Sequence, residues 1–360
     1  MTRVHNFSAG PAALPQPVLE KAQSQLLDIA GTGRSIMEMS HRSALYSEVD
    51  HQAKVRLRDL LGLGSEFEIM FLQGGASSQF MMLPMNFLEE EHTAGYLDTG
   101  RWSAKAITEA RRFGQVDVLF SSEDDAYRRV PEAGTFEVDP QWTYLHYTSN
   151  NTVAGTQFPY EPHAGEVPLA CDASSDLLSR AITPDTYGLI YAGAQKNVGP
   201  AGVTIVIIRR DFLERSRVSG EIPTILRYRT HAEKIFNTPP VFNVYMVGLV
   251  LEWLQEQGGV AHFEELSHRK AGLIYEEIDR DGFYEGAVEA GSRSLMNVTF
   301  RLADRALEER FLEEASEEKL MGLKGHRSVG GVRASLYNAV PLASAEALAQ
   351  FMRSFREQYG

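Results

Sequence analysis

Asp172 and Lys196 each follow a short apolar run, in VPLACDASSD (167–176) and YAGAQKNVGPAG (191–202). Open α/β sheets gather their functional groups beyond the carboxyl ends of the strands. A carboxylate and an amine on neighbouring strand ends can therefore face one another across a flat group. A third feature lies in FEIMFLQGGASSQFMMLPMNFL (67–88), where an apolar run passes through Gly74 and Gly75 into a helical pattern starting near Ala76, Ser77 and Ser78. The free N–H groups and macrodipole of such a helix start, with two hydroxyls beside them, suit a phosphate or a carboxylate. They suit an ordinary serine-capped turn equally well. The segment is no Walker loop, because the sequence contains no Gly-Lys dipeptide. Gly62-Leu63-Gly64 lacks the third glycine of the dinucleotide fingerprint and precedes its strand.

An amine, a carboxylate and a phosphate cradle together meet the needs of pyridoxal 5'-phosphate. Its aldehyde requires a primary amine on a flexible stem, which only lysine supplies. Its pyridine nitrogen must stay protonated to draw electrons from a substrate Cα–H bond, and a buried carboxylate favours that charged form. Trp102, in LDTGRWSAK (97–105), follows another apolar run and could stack on the ring. His-Arg-Ser occurs twice outside helical patterns, as His41-Arg42-Ser43 and His326-Arg327-Ser328, with Arg333 close behind the second. In an acidic protein, cationic groups in such loops point to a site for a small anion, although solvated surface charge explains each pair taken singly. The remaining histidines show no metal-ligand spacing, so no metal centre is expected. Cys171 reads as a small core residue.

The elements that must position these residues follow from the apolar periodicity. Helical repeats are expected over 16–30 and 44–61, closed at Gly31 and Gly62. Short β-rich runs at 67–72, 95–97, 116–120, 143–147, 167–171, 187–191 and 203–208 then alternate with helical stretches. Several are apolar throughout, as strands covered on both faces must be, which predicts an α/β fold with a mostly parallel sheet flanked by helices. Helices at 241–257 and 262–279 flank the glycine pair 258 and 259, where a domain boundary is placed. Beyond it a strand (295–302), an acidic helix (307–320), a glycine-punctuated segment (322–337) and a last helix from Ser344 form a small α+β domain.

The 360 residues carry 35 Lys plus Arg against 48 Asp plus Glu, a formal net charge of −13 with no block of basic residues to offset it, which argues against a nucleic-acid partner. One cysteine permits no intrachain disulfide and fits a reducing compartment. The N-terminal residues lack the apolar stretch of a signal peptide, and no aliphatic run is long enough to span a bilayer, so the chain reads as cytoplasmic with no membrane partner.

NFSAGPAALP, SHRS, QGGASSQF, TGRWSAKA, CDASS, YAGAQKNVGPAG, NTPPVFN and GHRSVGGVRASLYNA occur in this order over nearly the whole chain. On these markers the sequence resembles the phosphoserine aminotransferase family, fold-type I pyridoxal-phosphate enzymes of class V of the aminotransferases. With the boundary at the glycine pair, the chain is expected to comprise an N-terminal arm (1–15), a large cofactor-binding domain (16–258) and a small C-terminal domain (259–360). The resemblance implies that Lys196 holds the cofactor aldehyde, Asp172 pairs with the pyridine nitrogen and Trp102 stacks on the ring. Ala76 and Ser77 would hold the phosphate with Gln195 assisting, and Thr152 would contact the cofactor. The family works as a homodimer in which Asn237 and Thr238 reach the neighbouring subunit's phosphate. Substrate anions would meet His41, Arg42, His326 and Arg327, while Arg333 would take the α-carboxylate. The implied reaction moves an amino group from L-glutamate to 3-phosphohydroxypyruvate; use of a second phosphorylated substrate, from vitamin B6 synthesis, stays open.

Four other readings fit less of the sequence. A cysteine desulfurase needs a nucleophilic cysteine on a mobile loop, whereas Cys171 lies in an apolar run beside Asp172. An alanine–glyoxylate type aminotransferase has no use for two His-Arg pairs. A nicotinamide-dependent oxidoreductase lacks its fingerprint here, and neither it nor a non-catalytic binding protein explains the pairing of Asp172 with Lys196.

Overall fold

The computed structural model describes residues 3–217 and 222–360; Met1 and Thr2 of the expected arm lie outside the described residues. Seven strands form the main sheet: β1 (Phe67–Leu72), β2 (Thr93–Asp98), β3 (Gln115–Ser121), β4 (Leu145–Thr148), β5 (Leu169–Asp172), β6 (Tyr187–Gly193) and β7 (Thr204–Arg209), in the order β1-β7-β6-β5-β4-β2-β3. The neighbours β3, β2, β4, β5 and β6 pair in parallel. β7 runs antiparallel to both β6 and β1, so β1 points the same way as the parallel strands. The carboxyl ends of β1, β2, β4, β5 and β6 thus meet at one edge, and each expected strand is present with ends displaced by at most two residues.

Period-two alternation divides the core between the faces of the sheet. Ile205 and Ile207 of β7 pack with α2 (Ala44–Leu61) and α5 (Val241–Glu256) on one face. Val206 and Ile208 pack on the other with α3 (Gly75–Phe87) and α4 (Arg101–Ala110). In β5, Cys171 belongs to the first face and Ala170 to the second, so Asp172 shares the α3 face.

The first expected helix is cut short. α1 covers Gln16–Ser24 only. Beyond it Leu27 is 85% exposed, and Ala30 and Gly31 take left-handed φ of 53° and 72°. Asp28 Oδ1 accepts from Gly33 N at 2.7 Å and Thr32 Oγ1 donates to Ile29 O at 2.8 Å, local bonds that displace the helical ladder. The glycine pair opens a helix where a break between helices was expected: Gly258, at φ 105°, caps α6 (Gly259–Ile278).

A second apolar cluster draws on α6, on Tyr284 just ahead of β8 (Glu285–Gly286), on β9 (Asn297–Arg301) and β10 (Val332–Ser335), on α7 (Arg305–Glu317) and on α8 (Leu342–Tyr359). β8, β9 and β10 form an antiparallel sheet with β9 central. The N-terminal arm joins this unit: Phe7 lies in its core, and His5–Asn6 pairs in parallel with Leu320–Met321. Among the described residues no helix is long and apolar enough to cross a membrane.

Candidate active site

Lys196 lies in the turn between β6 and β7, which is closed by Ala194 N to Val203 O at 3.0 Å and Gly199 N to Ala194 O at 2.8 Å. A Cβ on Gly199 would approach Val247 Cγ2 to 2.8 Å, so glycine lets the turn settle against α5. The half-buried Lys196 donates from Nζ to Thr152 Oγ1 at 2.6 Å. Burial lowers its amine from the ordinary lysine value to about 8; Asp172 resists the shift, Arg333 adds to it and Asp176 resists it again.

Asp172 ends β5 with 3% exposure, accepting from Ser174 N at 3.0 Å on Oδ1. Burial pushes its carboxyl above the ordinary carboxylate range, against the hydrogen bonds of Ser174 and the charge of Lys196. It has no ion-pair partner among the described residues. Such a carboxylate favours a hydrogen-bonded cation beside it.

At the start of α3, Gly74 (φ 100°) is the N-cap and Gly75 (φ 67°) the first helical residue, with no side chain capping the free N–H groups. A Cβ on Gly74 would collide with Ser78 Oγ. Ala76 is half-buried and Ser77 exposed at this helix start. Gln195 packs its amide against Gly193, within 2.6 Å of where a Cβ would stand. Trp102 on α4 leaves a buried Nε1 without an acceptor, and Lys105 Nζ sits 4.9 Å from its ring centroid.

Arg333, on β10, donates from Nη1 to Thr152 O at 3.1 Å, so one threonine receives a bond from each basic residue. Arg333 and His326 line a cavity of about 210 Å3 with Arg128, Val153, Ala154 and Arg301. His326 Nδ1 and Ser328 Oγ are 2.7 Å apart, while Arg327 beside them is exposed.

The uncapped helix start, the buried carboxylate, the amine held by one hydroxyl and the unsatisfied indole N–H suit a flat anionic group with a protonated ring nitrogen. The residues present fit pyridoxal phosphate. The Aminotransferase class-V family model matches residues 4–348. Phosphoserine aminotransferase of Lysinibacillus sphaericus (strain C3-41) is 52% identical, with 99% of each chain covered. The chain belongs to the phosphoserine aminotransferase family of class-V aminotransferases. The phosphoserine aminotransferase structure from Bacillus circulans subsp. alkalophilus superposes with a TM-score of 0.97 at 50% identity, covering 99% of each chain. A pyridoxal-phosphate-bound phosphoserine aminotransferase from Trichomonas vaginalis gives 0.92 at 37% identity, covering 98% of this chain and 100% of that one.

Within this family member, direct bonds bring Lys196, Thr152 and Arg333 together, and His326 shares a cavity with Arg333. No hydrogen bond or ion pair among the described residues ties His41 or Arg42 to Lys196, Asp172 or Arg333. Their loop precedes α2, which Ser43 caps by accepting from Tyr46 N at 3.2 Å. Asn237 Nδ2 donates to Gln73 Oε1 of the same chain at 2.7 Å, beside Gly74, and Thr238 is exposed.

The sequence reading missed several supports. Ala12 N donates to Gln195 O at 2.9 Å, and a Cβ on Gly10 would lie 3.7 Å from Lys196 Cγ, so the arm returns to the lysine turn. Asn338 N donates to Asn197 Oδ1 at 2.9 Å, tying the segment after β10 to the residue following Lys196. Ser149 donates to Asp176 Oδ1 and to Asp172 O, the latter at 3.2 Å, buttressing the end of β5. The signal available was the density of Gly, Pro, Asn and Ser in SAGPAALP and LYNAVP, residues whose turns and side-chain bonds fix non-helical backbone.

Proposed function

We propose that the protein transfers the amino group of L-glutamate to 3-phosphohydroxypyruvate, releasing 2-oxoglutarate and O-phospho-L-serine, with pyridoxal phosphate as cofactor. The observation that carries this reading is the Lys196 amine, tuned toward its neutral form and held by Thr152 between a buried carboxylate and Arg333. When bound, pyridoxal phosphate holds the substrate nitrogen covalently and withdraws electrons from the Cα–H bond. The N–H groups of Ala76 and Ser77, with Gln195, bind its phosphate. Asp172 keeps the ring nitrogen protonated and Trp102 covers the ring. The neutral Lys196 amine takes the proton from Cα and returns it, a role that requires a pKa near working pH. Arg333 takes the α-carboxylate as a planar fork. His41, Arg42, His326 and Arg327 meet the anionic end of the substrate.

The working unit is a homodimer, with Asn237 and Thr238 of each subunit serving the neighbour's cofactor phosphate. In support, the exposed Ile225, Ile235 and Phe236 place an apolar patch beside these residues. The setting is the cytoplasm, consistent with the single buried thiol of Cys171. We divide the chain into an arm (1–15), a large domain (16–258) and a small domain (259–360), in line with the separate apolar clusters.

Assay of O-phospho-L-serine formation tests the reaction, with glyoxylate as the competing acceptor. Use of glyoxylate with no use of the phosphorylated acid contradicts it and favours an alanine–glyoxylate type. The same assay with the keto acid of 4-phosphohydroxythreonine tests a place in pyridoxine synthesis. Co-expressed Lys196→Ala and Asn237→Ala chains test the shared site: mixed dimers regain activity if Asn237 acts across the interface and stay as poor as the parents if it does not.

A further inference from the structure

Lys270 is a fully buried lysine that no step of the proposed reaction uses. It lies inside α6 with no exposed surface, next to Ala271 and one turn before Ile274 of the second apolar cluster. Among the described residues it has no ion-pair partner. Its Nζ donates instead to three backbone carbonyls, Leu336 O at 2.8 Å, Tyr337 O at 2.7 Å and Val340 O at 3.1 Å. Residues 336–340 follow β10 as irregular backbone, so these carbonyls need partners outside a ladder. Three N–H donors on one atom meet three acceptors, a match that no amide or hydroxyl side chain reproduces. Burial lowers this amine to about 7, the mark of a charge kept from water. An apolar residue at this position of α6 would avoid that cost, so the lysine is explained by the segment it holds.

That segment meets the surroundings of Lys196 at two points. Asn338 N donates to Oδ1 of the buried Asn197 at 2.9 Å, and Asn197 directly follows Lys196. The Tyr337 hydroxyl donates to Ala9 O at 2.8 Å, next to Gly10, where a Cβ would lie 3.7 Å from Lys196 Cγ and 3.9 Å from Cε. We propose that Lys270 is a positioning residue for the Lys196 amine. By gathering the carbonyls of Leu336, Tyr337 and Val340 it keeps Asn338 on Asn197 and Tyr337 on Ala9, and so holds the lysine turn and the arm closed around Lys196. Its bearing on turnover rests on the transamination reading above; its bearing on the amine does not.

The test is Lys270→Met in the full chain, which removes the three donors and nearly keeps the volume. Amine labelling of the apoprotein, read peptide by peptide, follows Lys196 itself. Its midpoint stands near 8 in the wild type. In the variant it is expected to rise by about one pH unit, as the loosened segment admits water. In the holoenzyme kcat is expected to fall about tenfold or more, while KM for glutamate changes less than about threefold because Arg333 keeps its place in β10. A variant that loses thermal stability alone, with midpoint and kcat unmoved, overturns the proposal. Asn197→Ala removes the receiving acceptor without touching Lys270, and so reads the route even where Lys270→Met does not fold. There too the midpoint is expected to rise, and an unmoved midpoint contradicts the route. In the double variant the two shifts should not add, and fully additive shifts would mean that Lys270 acts by another path. Should the holoenzyme not use the phosphorylated acid, the functional reading fails, and the labelling midpoint still decides the role of Lys270.

Discussion

The amine of Lys196 lies 2.6 Å from the hydroxyl of Thr152, its one hydrogen-bond acceptor among the described residues. Arg333 binds the carbonyl of the same threonine at 3.1 Å. Thr152 thereby fixes the spacing between the Lys196 amine, to which the proposed function gives the Cα proton, and the Arg333 guanidinium, to which it gives the substrate carboxylate.

Replacing Lys196 with Ala leaves the cradle and Asp172 in place while removing the group that moves the proton. Cofactor binding should persist without a covalent bond, and turnover should fall by about 10³-fold or more. Dialysis, absorbance and steady-state kinetics measure the two effects. Near-normal turnover would remove Lys196 from its role.

The Lys196 amine sits near pH 8 in the folded apoprotein, below its value in an unfolded chain. Between those values the folded state binds fewer protons, so its stability rises with pH across that window and the contribution is absent below about 8. Labelling of Lys196 by an amine-selective reagent should rise with a midpoint near 8. A midpoint at the value of surface lysines would contradict the tuning.

Asp172 carries a burial cost that its present hydrogen bonds do not offset, and its raised pKa weakens the apoprotein progressively as pH rises from the ordinary carboxylate value to the folded one. Asp172→Asn should therefore raise the apoprotein Tm by roughly 2–4 °C at neutral pH while reducing turnover about 10²-fold or more. Calorimetry of the apoprotein beside kinetics of the loaded enzyme shows whether the two move in opposite directions. A variant that loses both stability and activity would assign Asp172 a structural role.

Gly74→Ala imposes a side chain at φ 100° and against Ser78 Oγ. About 1–2 kcal/mol of backbone strain and a displaced helix start should weaken cofactor binding at least about tenfold. Equilibrium titration with pyridoxal phosphate reads this directly, and an unaltered affinity would place the phosphate elsewhere.

The interior of the sheet was legible because its strands are buried on both faces; β6 and β7 stand out from the sequence for that reason. Lys196 and Asp172 could be paired because both lie at strand ends in a mostly parallel sheet. Residues 25–30 misled, since Leu26 and Ile29 keep a helical spacing that the local bonds of Asp28 and Thr32 override. The return of Gly10 and Ala12 to the lysine turn, and the crossing from Asn338 to Asn197, depend on contacts between distant segments that local periodicity does not carry.

The most direct measurement reduces the cofactor-loaded protein with borohydride and maps the modified peptide by mass spectrometry. The account predicts a single pyridoxyl adduct, on Lys196, in a protein that loses its visible absorbance and its transaminase activity together. An adduct on another lysine, or a protein that takes up no pyridoxal phosphate, would contradict it.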